Sequence, residues 1–167
     1  MPVPMDNPIL QLRREHDEAL AVLDRLEGAL HDLAAPEALV AVQRAVEFLD
    51  EEVRAHNQRE EESLFPALEV ALPPPGPAAA LRSEHREFSK LLSKLKFAIS
   101  QIPFSPGTGE IGLAAVDLLR RHIRKENGIV FPMAQQLLSA EEMSQMKRKM
   151  EELIEDQEAA AATPWAV

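Results

Sequence analysis

Cysteine is absent from the 167 residues. That excludes a disulfide framework, a thiolate nucleophile and any zinc or iron–sulfur site held by Cys. Positive charge is scarce: 18 Lys and Arg face 28 Asp and Glu, a formal net charge of −10. A nucleic-acid surface needs clustered Lys and Arg against the phosphates, so this composition speaks against one. No apolar run approaches the roughly 18–20 residues that span a bilayer. The opening MPVPMDNP lacks the basic stretch and apolar run of a signal peptide. A soluble cytoplasmic protein, with neither nucleic acid nor membrane as partner, is the expectation. With 46% hydrophobic and 28% charged residues, the chain suits one globular domain with a real core.

What is present is helical punctuation and helical period. Asn7-Pro8 suits a helix start, and Leu12, His16, Ala19, Leu23, Leu26, Leu30 and Leu33 follow in steps of three and four. A second helix is expected over about 36–72, with Val42, Val46, Leu49, Val53, His56, Glu60, Leu64 and Ala67 on its inner seam; LPPPGP ends it. A third starts near residue 78 and carries Leu81, His85, Phe88, Leu92, Leu95 and Ile99. After the loop PFSPGTG, a fourth runs over about 110–138 through Ile111, Ala115, Leu118, His122, Glu126, Ile129 and Met133. Ser139 and Glu142 fit a capping box opening a fifth helix, 140–158. The expectation is an all-α fold, an up-down-up-down four-helix bundle over 1–138 with an accessory C-terminal helix and a flexible tail, 159–167.

The first two helices repeat in the next two. HNQREEESLFP (56–66) and HIRKENGIVFP (122–132) share one template: His, three residues, Glu, an acid or amide, two residues, an aliphatic, Phe, Pro. LRREHDE (12–18) likewise matches LRSEHRE (81–87). Each copy supplies a lone His from one helix and a His-x3-Glu from the next. All six of these residues, His16, His56, Glu60, His85, His122 and Glu126, fall where the helical period asks for an apolar side chain. Residues four apart lie about 40° apart around a helix, so each His-x3-Glu aims both groups the same way. In an antiparallel bundle all six reach one layer. Buried ionisable groups lose several kcal/mol of hydration unless paired or bound to a metal, and no Lys or Arg shares those positions. Imidazole with carboxylate suits iron, manganese or zinc. Two ions, bridged by Glu60 and Glu126 and each capped by two imidazoles, use all six groups.

Blander readings stand beside this one. A lone core His is usually structural, and the duplicated motif could preserve helix packing alone. Leu64-Phe65-Pro66 and Val130-Phe131-Pro132 read as hydrophobic anchors with a helix kink and no chemistry. Glu15 and Glu84 read first as solvated face charges, second as acceptors that orient an imidazole. His31 lies roughly 22 Å along the axis from His16, at the surface or the bundle end. The fifth helix, amphipathic through Met143, Met146, Met150 and Leu153, packs on its own bundle or, alternatively, forms a homodimer contact.

The paired His … His-x3-Glu pattern, with E-E-x2-L-F-P and E-N-x2-V-F-P after it, resembles the hemerythrin-like HHE cation-binding family over about residues 8–138. The resemblance implies a four-helix bundle with a non-haem di-iron centre, zinc or manganese as substitutes, and the six named residues as ligands. Departures are specific. Oxygen-carrying hemerythrins have a His pair four apart on the third helix, where this chain has Leu81 and Ser89 around His85. Their fourth helix carries His-x4-Asp, and Asn127 stands at that spacing here. Relatives that repair iron–sulfur clusters typically add a Cys-containing N-terminal segment. The Glu-x-x-His of ferritin-like proteins is absent, and so is tyrosine, which excludes a tyrosyl radical.

Three functions follow as expectations. The first is a di-iron protein that binds or senses O2, NO, peroxide or iron. The second is an enzyme using the same open coordination positions for peroxide disproportionation or ferrous oxidation. The third is a structural or partner-binding bundle without metal.

Overall fold

A computed structural model describes residues 6–101 and 103–163. Their regular structure is entirely helical, with no strand among them. Helix α1 spans Pro8–His31, and the Asn7 side chain caps it by accepting from the amides of Ile9 and Leu10. Helix α2 covers 38–71, α3 Ala78–Ile99, α4 108–137 and α5 Ala140–Ala162. Gly107 turns the chain into α4 at φ 82°, a left-handed conformation that suits a residue without Cβ. No helix among the described residues is long and apolar enough to cross a membrane.

The expected end of α5 at 158 is four residues short. Alanines 159–162 continue the helix, as the best helix former should. Of the expected tail, residues 164–167 lie outside the described ones. The capping box is present: Glu142 N–H donates to Ser139 Oγ (3.2 Å) and Ser139 N–H to the Glu142 carboxylate (2.7 Å). Ser139→Ala is expected to lower the melting temperature by about 2–4 °C, the worth of one N-cap, as read by calorimetry.

Helices α1 to α4 pack in a ring, α1 on α2 and α4, α3 on α4 and α2. Two apolar clusters fill it. One joins Leu23, Leu26, Val42, Leu95, Leu119 and their neighbours; the other joins Leu12, Phe65, Leu68, Leu81, Phe131 and Met150. The six polar seam residues are all buried, and along each helix they separate the residues of one cluster from those of the other. Helix α5 lies on α1 and on the 54–64 stretch of α2, burying Met146, Met150 and Leu153 against its own chain.

Neither α2 nor α4 is a uniform α-helix. Each widens into a π turn that begins at the motif glutamate, Glu60–Leu64 and Glu126–Val130, and α2 has another at Leu49–Val53. The extra residue rotates everything beyond it. Ile129, expected on the seam, is 59% exposed, and Val130, Phe131 and Ala134 are buried instead. In α2 the seam passes to Phe65 and Leu68, leaving Ala67 only partly covered. The prolines explain the widening. Pro66 and Pro132 have no amide hydrogen, and a proline ring in a regular helix presses on the carbonyl four residues back. The turn opens, and the amides of Phe65 and Phe131 reach back five residues to Glu60 and Glu126.

Candidate metal centre

The structure brings all six seam residues together. His16, His56, Glu60 and Glu126 place ligand-type atoms within 4.8 Å of one another, and so do Glu60, His85, His122 and Glu126. The two sets share both glutamates. Glu60 faces each set with a different oxygen: Oε1 is 3.2 Å from His56 Nε2, and Oε2 is 3.4 Å from His85 Nε2. Glu126 Oε2 lies 3.2 Å from His16 Nε2 and 3.1 Å from His122 Nε2. Each imidazole pair comes from one copy of the repeat. His31, exposed at the last position of α1, belongs to neither set.

Every imidazole is held from behind. His56 Nδ1 donates to Glu15 and His122 Nδ1 to Glu84, each at 2.7 Å; His85 Nδ1 donates to Glu61 at 2.7 Å and His16 Nδ1 to Asn127 Oδ1 at 2.8 Å. An ionised carboxylate can only accept, so it fixes the proton on Nδ1 and turns the Nε2 lone pair inward, the tautomer a metal requires. The first reading of Glu15 and Glu84 as solvated charges is therefore corrected. Each sits beside the histidine of its own helix yet holds the histidine of the next. Glu61 and Asn127, the acid-or-amide position of the repeated template, do the same from α2 to His85 of α3 and from α4 to His16 of α1, so each acceptor serves the next helix round the ring. The repeat carried that signal in its preference for an acceptor.

The phenylalanines also do more than anchor. Phe131 stacks on His16 (5.2 Å between ring centres, 11° between planes) and Phe65 on His85 (5.6 Å, 24°). Arg13 lies over the Phe131 ring and Arg82 over Phe65. Arg13 also donates to the backbone carbonyl of Asn127. That carbonyl has lost its helical donor, because Phe131 N–H bonds Glu126 and Pro132 has none to give.

The centre's own polarity tests whether metal suits it. Both oxygens of Glu60 and of Glu126, with Nε2 of His16 and His56, are buried without a hydrogen-bond partner among the described residues. Such atoms cost about 1–3 kcal/mol each, more when charged. Nε2 of His85 and Nε2 of His122 face each other at 3.1 Å, two inward lone pairs with at most one proton between them. Burial lowers the pKa of His56, but Glu60 and Glu15 outweigh it and raise it to about 10. His122 rises to about 9 in the same way, through Glu126 and then Glu60. Glu60 falls well below the usual carboxylate range despite its burial, held down by His56, His85 and His16. The pocket thus demands positive charge at its centre. Donors of this type, converging and unsatisfied, fit metal ions.

Comparison with known proteins agrees with this chemistry. The family described as the hemerythrin HHE cation binding domain matches residues 7–134. The chain is similar to the iron-sulfur cluster repair protein YtfE of Escherichia coli O81 (strain ED1a), 27% identical over 145 residues. The protein of the same name from Escherichia fergusonii is 26% identical over 145 residues. Each alignment covers 78% of this chain and 64% of the relative, so the chain spans just under two thirds of these proteins' length.

Proposed function

We propose, from the premise that this chain belongs to the hemerythrin HHE cation-binding family, that it holds a dinuclear iron centre for a small ligand. In this reading His16 and His56 would hold one ion and His85 and His122 the other, with Glu60 and Glu126 available to both. The observation that carries it is the convergence of six buried side chains, four of which (His16, His56, Glu60 and Glu126) hold inward atoms without a hydrogen-bond partner among the described residues. Imidazole and carboxylate would also suit manganese or zinc; the resemblance to hemerythrins selects iron. An up-down-up-down bundle supports the arrangement. The cluster containing Leu12 draws on residues before the histidine in α1 and α3, but after the glutamate in α2 and α4.

Bound iron would supply Lewis acidity and redox chemistry; the protein supplies orientation and access. Two carboxylates and two imidazoles per ion leave coordination positions for O2, NO or peroxide. A small cavity of ≈ 20 Å³ touches His16, His56 and His122, and its other walls mix Ala19, Val53 and Leu119 with Glu15, Glu52 and Arg59. It has room for about one water-sized molecule. A cavity of that size admits a diatomic ligand but not a large anion.

Protein purified without chelator is expected to carry two iron ions per chain by elemental analysis. Its absorption spectrum is expected to change on exposure to O2, NO or peroxide after reduction, without catalytic consumption of peroxide. Sub-stoichiometric iron, zinc and manganese together would overturn the reading in favour of a metal-free bundle, and sustained peroxide turnover would favour an enzyme. A second reading, repair of iron–sulfur clusters, is favoured by the name of the relatives. It predicts that the iron-loaded protein restores activity to an oxidatively damaged iron–sulfur enzyme.

A further inference from the structure

We infer that Arg59 and the C-terminal helix are positioning elements for one ion of the pair, so that the two halves of the centre bind metal unequally. This rests on the dinuclear reading above and goes beyond it. Both copies of the repeat build a relay from an imidazole through a carboxylate to a cation. In one, His56 donates to Glu15, and Glu15 Oε1 lies 3.1 Å from the Arg59 guanidinium. In the other, His122 donates to Glu84, and Lys125 pairs with Glu84. Arg59 and Lys125 stand at matching places, three residues after the motif histidine.

The surroundings of the two relays differ. Arg59 and Glu15 side chains are 9% and 14% exposed, whereas those of Lys125 and Glu84 are 42% and 24% exposed. Helix α5 makes the difference. Gln157 accepts from Arg59 through Oε1, and its Nε2 donates to the backbone carbonyl of Ala55 and to Gln58 Oε1, each at 3.1 Å. One glutamine thereby clamps both the guanidinium and the turn that bears His56. Helix α5 starts at Ala140, beyond the 7–134 stretch that the family match covers. Among the described residues, the His122 relay has no such clamp.

Burial decides what each relay can do. An exposed Lys–Glu pair is screened by water and contributes little. A buried guanidinium has no such escape; it stays only if its partners hold it, and it then holds them. Glu15 is fixed from behind by Arg59, and His56 is fixed by Glu15. The His16–His56 half is pre-organised through α5, while the His85–His122 half is left to solvent-facing partners.

Anaerobic iron(II) titration of metal-free protein against a chromogenic chelator tests this, with far-UV circular dichroism confirming the fold. The parent should bind two ions. Arg59→Met and Gln157→Leu should each weaken one of the two by roughly 10–100-fold, the range for groups that orient a ligand, and leave the other within about threefold. Lys125→Met should change neither by more than about threefold, and Arg59→Lys should recover most of the lost affinity. Mössbauer spectra of the iron-loaded Gln157→Leu variant should show one of the two iron signals altered and the other as in the parent. If Arg59→Met does not fold, Gln157→Leu carries the test. Equal weakening of both ions, no weakening in Gln157→Leu, or an equal effect from Lys125→Met would overturn the inference while the dinuclear reading stands. A parent that binds fewer than two ions would overturn both.

Discussion

Replacing Glu126 with alanine is expected to reduce bound iron from two ions per chain to fewer than one. The glutamate is fully buried, and its Oε2 approaches His16 Nε2 and His122 Nε2, one from each half. Its removal strips a ligand from both proposed ions at once and leaves four inward imidazoles with a single carboxylate. Breaking a buried charge set by deleting one partner typically costs about 3–5 kcal/mol, because the remaining charges stay buried. His56→Ala should behave differently. That imidazole serves only one set, so the variant should retain about one ion, with His85 and His122 intact. Elemental analysis against protein concentration separates the two outcomes. Two ions per chain in Glu126→Ala would mean that the metal lies elsewhere.

Phe131→Ala is expected to lower the melting temperature of the metal-free protein by about 6–20 °C. Truncating a buried phenylalanine costs about 3–5 kcal/mol, and for a domain of this size each kcal/mol moves the midpoint by about 2–4 °C. The ring is fully buried, packs in the cluster with Leu12 and Leu81, and stacks on His16. Phe65→Ala should match it, since Phe65 occupies the equivalent place against His85. Calorimetry on chelator-treated protein isolates packing from metal linkage. Phe131→Leu, which refills much of the volume, should regain more than half of the loss. A drop below about 3 °C for the alanine variant would show that the wall behind the imidazole is not a packed one.

Much of this is legible in the sequence. Period three-and-four placed His16, His56, Glu60, His85, His122 and Glu126 on inner seams, and all six are buried together. Proline and glycine marked the breaks between helices, and Ser139 with Glu142 marked the start of α5. What escaped was whatever depends on register or on contact between helices. A seam drawn at a constant period carried Ile129 inward, because nothing in that period admits a widened turn; the proline two positions past the aliphatic was the available sign. Glu15 and Glu84 look like face charges on a helical wheel, and only the neighbouring helix reveals that each reaches a histidine there. Arg59 stands one place from the seam, where a charged residue normally lies in solvent. Its cover, α5, comes from nearly a hundred residues away.

The widened turns at Glu60 and Glu126 have a mechanical consequence. A surplus residue in a helix can behave like a wrinkle in a rug, shuffling along as each amide in turn takes over the long bond. For the wrinkle in α2 to move toward the C-terminus, residue 66 must supply the next amide; in α4, residue 132 must. Both are proline, so the wrinkle cannot move that way. The residues just past each bulge, Phe65 and Phe131, are thereby spared one rotation that would lift their rings off His85 and His16.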